Sequence, residues 1–142
     1  MQTRNWPFKV AKSPVHNNGV FTIKDLNKNE FVGFYTGKEY TQQDYENNKD
    51  DIQNSWYLMQ VGTSKNLYYI DANDLYNTNH TRYINSATTK KELNCNIVYM
   101  RDPKNYKKLV AAIFTTKKIK ANSELFLNYG SDYTELMLGK IF

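Results

Sequence analysis

Asn79-His80-Thr81-Arg82-Tyr83-Ile84-Asn85-Ser86 and, much further along, Glu124-Leu125-Phe126-Leu127-Asn128-Tyr129-Gly130 are the two stretches on which the reading of this chain turns. The first closes a polar, irregular region that begins after Asp71. The second opens on a short strand, Glu124 to Asn128, and is followed by a possible helical turn over Tyr133 to Leu138. Between and before them the chain reads as short strands with polar turns. Val20 to Ile23 is a brief β run behind the turn-forming His16-Asn17-Asn18-Gly19. Phe31 to Tyr35 is another, ended by Thr36-Gly37. Residues 41–54 are polar and acidic enough for a surface helix. Trp56 to Val61 and Leu67 to Ile70 are strand candidates around a turn at residues 62–66. Asn96 to Met100 and Leu109 to Thr115 form a hairpin about Asp102-Pro103-Lys104-Asn105. No repeat, P-loop or dinucleotide-type glycine pattern appears.

Length and composition set the limits. The 142 residues fit one domain with a core, 40% are hydrophobic and 15% aromatic, and Tyr (12) outnumbers Phe (7) and Trp (2). A single cysteine, Cys95, excludes an internal disulfide framework and a multi-thiolate zinc site. No apolar run is long enough to span a bilayer, and the opening residues lack the apolar centre of a secretion signal. A soluble intracellular setting is therefore expected, nucleus or cytoplasm, or a host cell for a viral protein. The net charge of +5 is carried mainly by Lys, with only three Arg. The Lys groups at 104, 107 and 108 and at 117, 118 and 120 read as solvated flanks of turns and strands.

Ordinary site chemistry is missing. His16 and His80 lack metal-ligand spacing, no GxSxG occurs, and Cys95 has no activating histidine beside it in sequence. Hydrolases and metalloenzymes are disfavoured, and no metal is expected. A chain rich in Tyr, Asn and Gly at its turns suits binding and positioning.

Three ordered segments resemble the SET-domain protein-lysine methyltransferases. His16-Asn17-Asn18-Gly19-Val20-Phe21, Lys24-Asp25-Leu26, Asn29-Glu30-Phe31-Val32 and Tyr35-Thr36-Gly37 are similar to the family's Gly-rich turn with GVFA, its K-x-I-x-K-G-E segment and its YxG strand. Trp56-Tyr57, Ile70-Asp71-Ala72 and residues 79–86 resemble Y…(V/I)DA…GNxARFINHS, and residues 124–130 resemble ELxxDYG. The likeness covers about residues 13–133, with 134–142 as a C-terminal flank, and describes a minimal SET domain without Cys-rich zinc-binding flanks. It implies a mostly β, β-clip-like fold: small curved sheets, short helices, and a C-terminal pseudoknot joining the Asn85 and Tyr129 segments.

The resemblance also implies roles. S-adenosylmethionine is the expected cofactor, and a lysine in a protein or peptide, with a histone tail as the candidate, is the expected acceptor. Tyr129 matches the catalytic tyrosine, and Tyr35 the YxG tyrosine lining the lysine channel. His16, Asn17 and Asn18 match the turn that meets the cofactor's methionine end. Asn17 replaces the family's first Gly, and Asn tolerates left-handed backbone better than most residues. Tyr57 is expected over the cofactor. Asn85 is expected at its amino-acid end or on nearby backbone, and Ser86 stands where the family has His. Arg82 is expected to be structural, Cys95 an inert buried thiol, and Asn96 the residue nearest the family's Asn after NHS. Leu127, two residues before Tyr129, cannot hold a water as tyrosine does, which favours di- or trimethylation. Asp44, Glu46, Asp71 and Asp74 are candidates for the peptide side, and the basic surface for nucleosomal DNA. Monomer and homodimer both stay open, and so does a different function: a SET-like module without catalysis that binds a peptide or nucleic acid. A basic β domain stacking single strands on exposed tyrosines is the third reading.

Overall fold

The computed structural model describes residues 6–48, 58–62, 67–73 and 78–127. Ten strands occur among them, in four small sheets: β1 (Phe8–Lys12) with β2 (Asn18–Thr22); β3 (Phe31–Phe34), β9 (Asn105–Thr115) and β8 (Cys95–Asp102), ordered β3-β9-β8; β4 (Lys38–Thr41), β6 (Tyr68–Asp71) and β5 (Leu58–Val61), ordered β4-β6-β5; and β7 (Asn85–Ser86) with β10 (Phe126–Leu127). This is a mostly β architecture of small sheets with short helices, as the resemblance implied. Tyr129, Tyr57 and Asp74, the turn at 63–66, and the region Tyr133 to Leu138 lie outside the described residues.

Local sequence explains most of these elements. Along β8, Cys95, Ile97 and Tyr99 are buried while their neighbours are partly exposed, the period-two pattern of a strand with one covered face. In β9, Ala111, Ala112 and Ile113 are buried in succession, because that strand lies between β3 and β8. The hairpin joining them turns where Asp102 accepts a bond from the Lys104 amide at 2.9 Å. The polar stretch after β4 forms one short helix, α1 (Gln42–Asn47), started by a capping box in which Thr41 and Asp44 satisfy each other's backbone amides. Asp44 is thus occupied as a cap, and Asp71 accepts from the Asn73 amide.

Three strands, β1, β4 and β7, have no counterpart among those expected from sequence. β1 pairs with β2 from Phe8↔Thr22 to Lys12↔Asn18, so the turn at residues 13–17 is the loop of a hairpin. The far edge of β2 is met by a returning segment: Thr22 donates to the Ser123 carbonyl, Leu125 to Val20, and Leu26 and Ile119 bond each other reciprocally. That return carries the chain to β10. The core beneath the sheets joins Val20, Val32, Met59, Ile97, Ile113 and Leu125 with their buried neighbours.

Candidate active site

Residues 79–86 touch every part of the fold that matters here. At their start, the Asn79 side chain caps a single 3-10 turn (His80–Tyr83) by accepting from the Thr81 amide. Its amide nitrogen donates to the Phe34 carbonyl at 2.9 Å, Thr81 Oγ1 donates to the same carbonyl, and His80 Nε2 donates to Val32 at 2.8 Å. Carbonyls on the edge strand β3 are satisfied by this docking. The contact is close: a Cβ on Gly33 would come within 2.9 Å of Thr81 and 3.2 Å of the His80 ring. His80 also stacks on Phe8, centroids 5.2 Å apart, and burial holds its pKa below the ordinary histidine value.

Arg82 comes next, and its role is structural. Nε donates to the Ala72 carbonyl at 2.7 Å and a terminal nitrogen to Asn73 at 3.0 Å, while the guanidinium lies over the Tyr83 ring. The same backbone is approached from the other side by Gly37, where a Cβ would stand 2.4 Å from the Asp71 carbonyl oxygen. The Tyr35-Thr36-Gly37, Asp71-Ala72 and Arg82 motifs are therefore one packed unit.

Asn85 and Ser86 then pair in parallel with Phe126 and Leu127, and the Ala87 amide bonds Leu127. Two stretches far apart in sequence become neighbours at this point. Asn94 secures the junction: buried, it donates to the Glu124 carbonyl at 3.0 Å and accepts from the Phe126 amide at 2.7 Å. Asn94, rather than the neighbouring Asn96, clamps this backbone.

Above the junction sits the turn of residues 13–18. Ser13 shapes it from inside, with its amide bonded to the Asn17 carbonyl and its hydroxyl accepting from the Val15 and His16 amides. Asn17 has φ of +42°, the left-handed conformation that asparagine enters more readily than other non-glycine residues. Residues 14–18 are exposed. Asn85 Nδ2 lies 3.0 Å from both the His16 and Asn18 carbonyls, and 2.9 Å from Glu124 Oε2. His16, Asn17, Asn18, Asn85 and Ser86 are thereby brought together. Tyr35 is elsewhere in the described structure, its ring in the buried core and its amide bonded to Ala111.

Sequence reasoning gave Glu124 no role. The residue is only 8% exposed, and its carboxylate accepts from Ser13 Oγ at 2.8 Å through Oε1 and from Asn85 through Oε2. Gly19 packs flat on it, since a Cβ there would be 2.2 Å from Oε2. The available signal was an acidic residue heading an otherwise apolar run, Glu124 to Leu127, five residues before a motif tyrosine.

Other polar groups are spent on structure. Tyr68 donates to the Leu109 carbonyl and Tyr99 to that of Gln60, and burial raises both phenol pKa values. Burial pushes the Cys95 thiol up to about 12, which keeps it protonated and unreactive at neutral pH. Among the described residues no cluster of three His, Cys, Asp or Glu is placed to hold a metal, and no helix is long and apolar enough to cross a membrane.

A β domain of small sheets, whose exposed turn is locked onto a parallel junction of two distant segments, is the class that fold and site define. The family model described as SET domain matches residues 17–130, and the chain belongs to the SET-domain family. It is similar to a Neurospora crassa protein named histone-lysine N-methyltransferase, H3 lysine-4 specific, with 27% identity over 133 residues, covering 91% of this chain and 9% of that protein. Among solved structures it is similar to a humanized mutant of the Chaetomium thermophilum Polycomb Repressive Complex 2 bound to the inhibitor GSK126. There the TM-score is 0.69 and the identity 26%, over 89% of this chain and 15% of that one. The chain thus spans a small fraction of the length of both.

Proposed function

We propose that the chain is a protein-lysine N-methyltransferase that uses S-adenosylmethionine. The observation that carries this reading is the parallel pairing of Asn85-Ser86 with Phe126-Leu127 directly beneath the exposed turn at residues 16–18. Family membership and the printed activity of the Neurospora relative support it.

The residues present fit the cofactor's amino-acid end. Asn85 directs its amide nitrogen at protein acceptors, and among the described residues nothing donates to its Oδ1. With the His16 and Asn18 carbonyls close by on the exposed turn, acceptors predominate, as recognition of an ammonium group requires. His16, Asn17, Asn18, Asn85 and the backbone of Ser86 would hold the cofactor, with Tyr57 over it. Bound there, it supplies a methyl on a cationic sulfonium. A contact through the Ser86 backbone would not need the imidazole of the family His, and the pairing of Ser86 with Leu127 fixes that backbone.

The chain's own tasks are alignment and desolvation. A free lysine has a pKa near 10.4, so the acceptor must shed a proton before it attacks, and an apolar channel beside a cation favours the neutral amine. Tyr35 is assigned to that channel, and Tyr129 to the position beside the transferring methyl. A lysine-bearing peptide, with a histone tail as the candidate, is the proposed substrate. Leu127, buried in β10, leaves no hydroxyl to hold a water, so di- or trimethyl-lysine is the expected product by mass spectrometry; a series ending at monomethyl-lysine contradicts it. Nucleosomal DNA is the proposed partner of the β8–β9 hairpin end, where Arg101, Lys104 and Lys107 are exposed.

The test pairs cofactor calorimetry with a methyl-transfer assay on histones and peptides. Tyr129→Phe should abolish transfer and leave cofactor binding in place, whereas Asn85→Ala should weaken binding. Cofactor binding without transfer in the unmodified protein would mean a binding module, and no cofactor binding would reject the proposal.

A further inference from the structure

We infer that Glu124 is a positioning residue for the cofactor turn, setting the shape of residues 13–19 in advance of any ligand. The inference rests on the proposed cofactor site but is drawn from contacts of the protein alone. Three independent features converge on one carboxylate. Oε1 takes the Ser13 hydroxyl proton, and Ser13 in turn accepts from the Val15 and His16 amides, so the inner face of the turn hangs on that oxygen. Oε2 accepts from Asn85 Nδ2, whose two protons are shared among that oxygen and the His16 and Asn18 carbonyls on the outer face. Gly19, at the foot of the turn, lies directly on the carboxylate, with room for no side chain between them.

The position of Glu124 is itself fixed. Its carbonyl is clamped by Asn94, and the residues on either side bond β2 through Thr22–Ser123 and Leu125–Val20. A carboxylate accepts only, and both groups aimed at it are donors, so its polarity decides which way Ser13 and Asn85 turn. With Glu124 in place, the Asn85 nitrogen faces the turn and Oδ1 is left open for a ligand. A glutamine at this position would present an amide N–H to one of those donors. Asn85 would then be held by the His16 and Asn18 carbonyls alone, or Ser13 would lose its acceptor, and the turn would lose one of its two links to this side chain. Glu124 acts through Ser13, Asn85 and Gly19, and is not itself a contact of cofactor or substrate.

The experiment compares the unmodified protein with Glu124→Gln, Ser13→Ala and the double variant. Binding of S-adenosylhomocysteine is measured by calorimetry, and backbone amide resonances are recorded without ligand. Glu124→Gln is expected to weaken binding about tenfold, the size of one lost hydrogen bond to a charged group. The KM for S-adenosylmethionine should rise while kcat holds, and resonances of residues 15–19 and 85 should shift while those of β8 and β9 stay. Because Ser13 acts through Glu124, the double variant should bind no more weakly than Glu124→Gln alone. Unchanged binding and unchanged turn resonances in Glu124→Gln would overturn the inference, as would losses that multiply in the double variant. Should Glu124→Gln fail to fold, Ser13→Ala decides: shifted resonances at residues 15–16 with weaker binding support it, and their absence overturns it. No binding by the unmodified protein would reject the proposed function, and the ligand-free resonances would still decide the role of Glu124.

Discussion

Gly19→Ala is the sharpest single perturbation of this arrangement. The backbone at Gly19 is not in the left-handed region, so alanine fits conformationally, and reduced chain entropy would by itself stabilise the protein by about 0.4–1 kcal/mol. The added methyl, however, would stand 2.2 Å from Glu124 Oε2 and 2.8 Å from Cδ. That is far inside the roughly 3.5 Å at which non-bonded heavy atoms rest. The glutamate chain is flexible and can swing away, but only by releasing Ser13 Oγ and Asn85 Nδ2. Each bond to a charged acceptor contributes about 1.5–3 kcal/mol, so the two together cost roughly 3–6 kcal/mol. Regained hydration and the alanine gain reduce the expected loss to about 2–4 kcal/mol. For a chain of this size that lowers Tm by roughly 10 °C.

Thermal unfolding followed by circular dichroism measures it, in a cycle with Glu124→Ala. Once the carboxylate is gone, the nearest atom to the new methyl is Ser13 Cβ at 3.1 Å, which needs to yield only slightly. Gly19→Ala should then cost less than about 1 kcal/mol, giving a coupling of at least roughly 1 kcal/mol between sites 19 and 124. Equal costs in the two backgrounds, or a fully stable Gly19→Ala protein, would refute the reasoning.

Three further outcomes are expected. Burial lowers the His80 pKa in the folded state, so below the unfolded value near 6.5 the unfolded chain binds more protons; this part of the stability is present above that pH and is lost as pH falls. Urea unfolding at pH 7.5 and 5.5 should show a smaller drop for His80→Gln, whose amide still reaches the Val32 carbonyl, and equal drops would exclude the assignment. Asn94→Ala removes both bonds to the 124–126 backbone and should destabilise by about 2–3 kcal/mol in chemical denaturation, because the groups left behind are buried. Cys95 should resist a thiol-modifying disulfide reagent at pH 8 in the folded protein and react at once in denaturant; rapid labelling of the native state would contradict its burial.

Some features were legible in the sequence because their causes are local. The β8–β9 hairpin follows from an apolar run on either side of Asp102-Pro103-Lys104-Asn105, and α1 from Thr41 and Asp44 three residues apart. Asn17 could be expected in a left-handed turn from its own side chain, and it is. β1 escaped notice because Lys9, Val10 and Lys12 are exposed and give little alternation; its pairing with β2 is what makes it a strand. Glu124 escaped for a different reason. Nothing within a few residues of it hints at Ser13, 111 positions away, or at Asn85.

By itself the sequence determined most of the strands and turns, and the family, because periodicity, turn chemistry and ordered motifs are written along the chain. Only the tertiary structure decided that one carboxylate would join Ser13, Asn85 and Gly19. A buried polar group must find its partners wherever folding brings them, and chain distance carries no information about that choice.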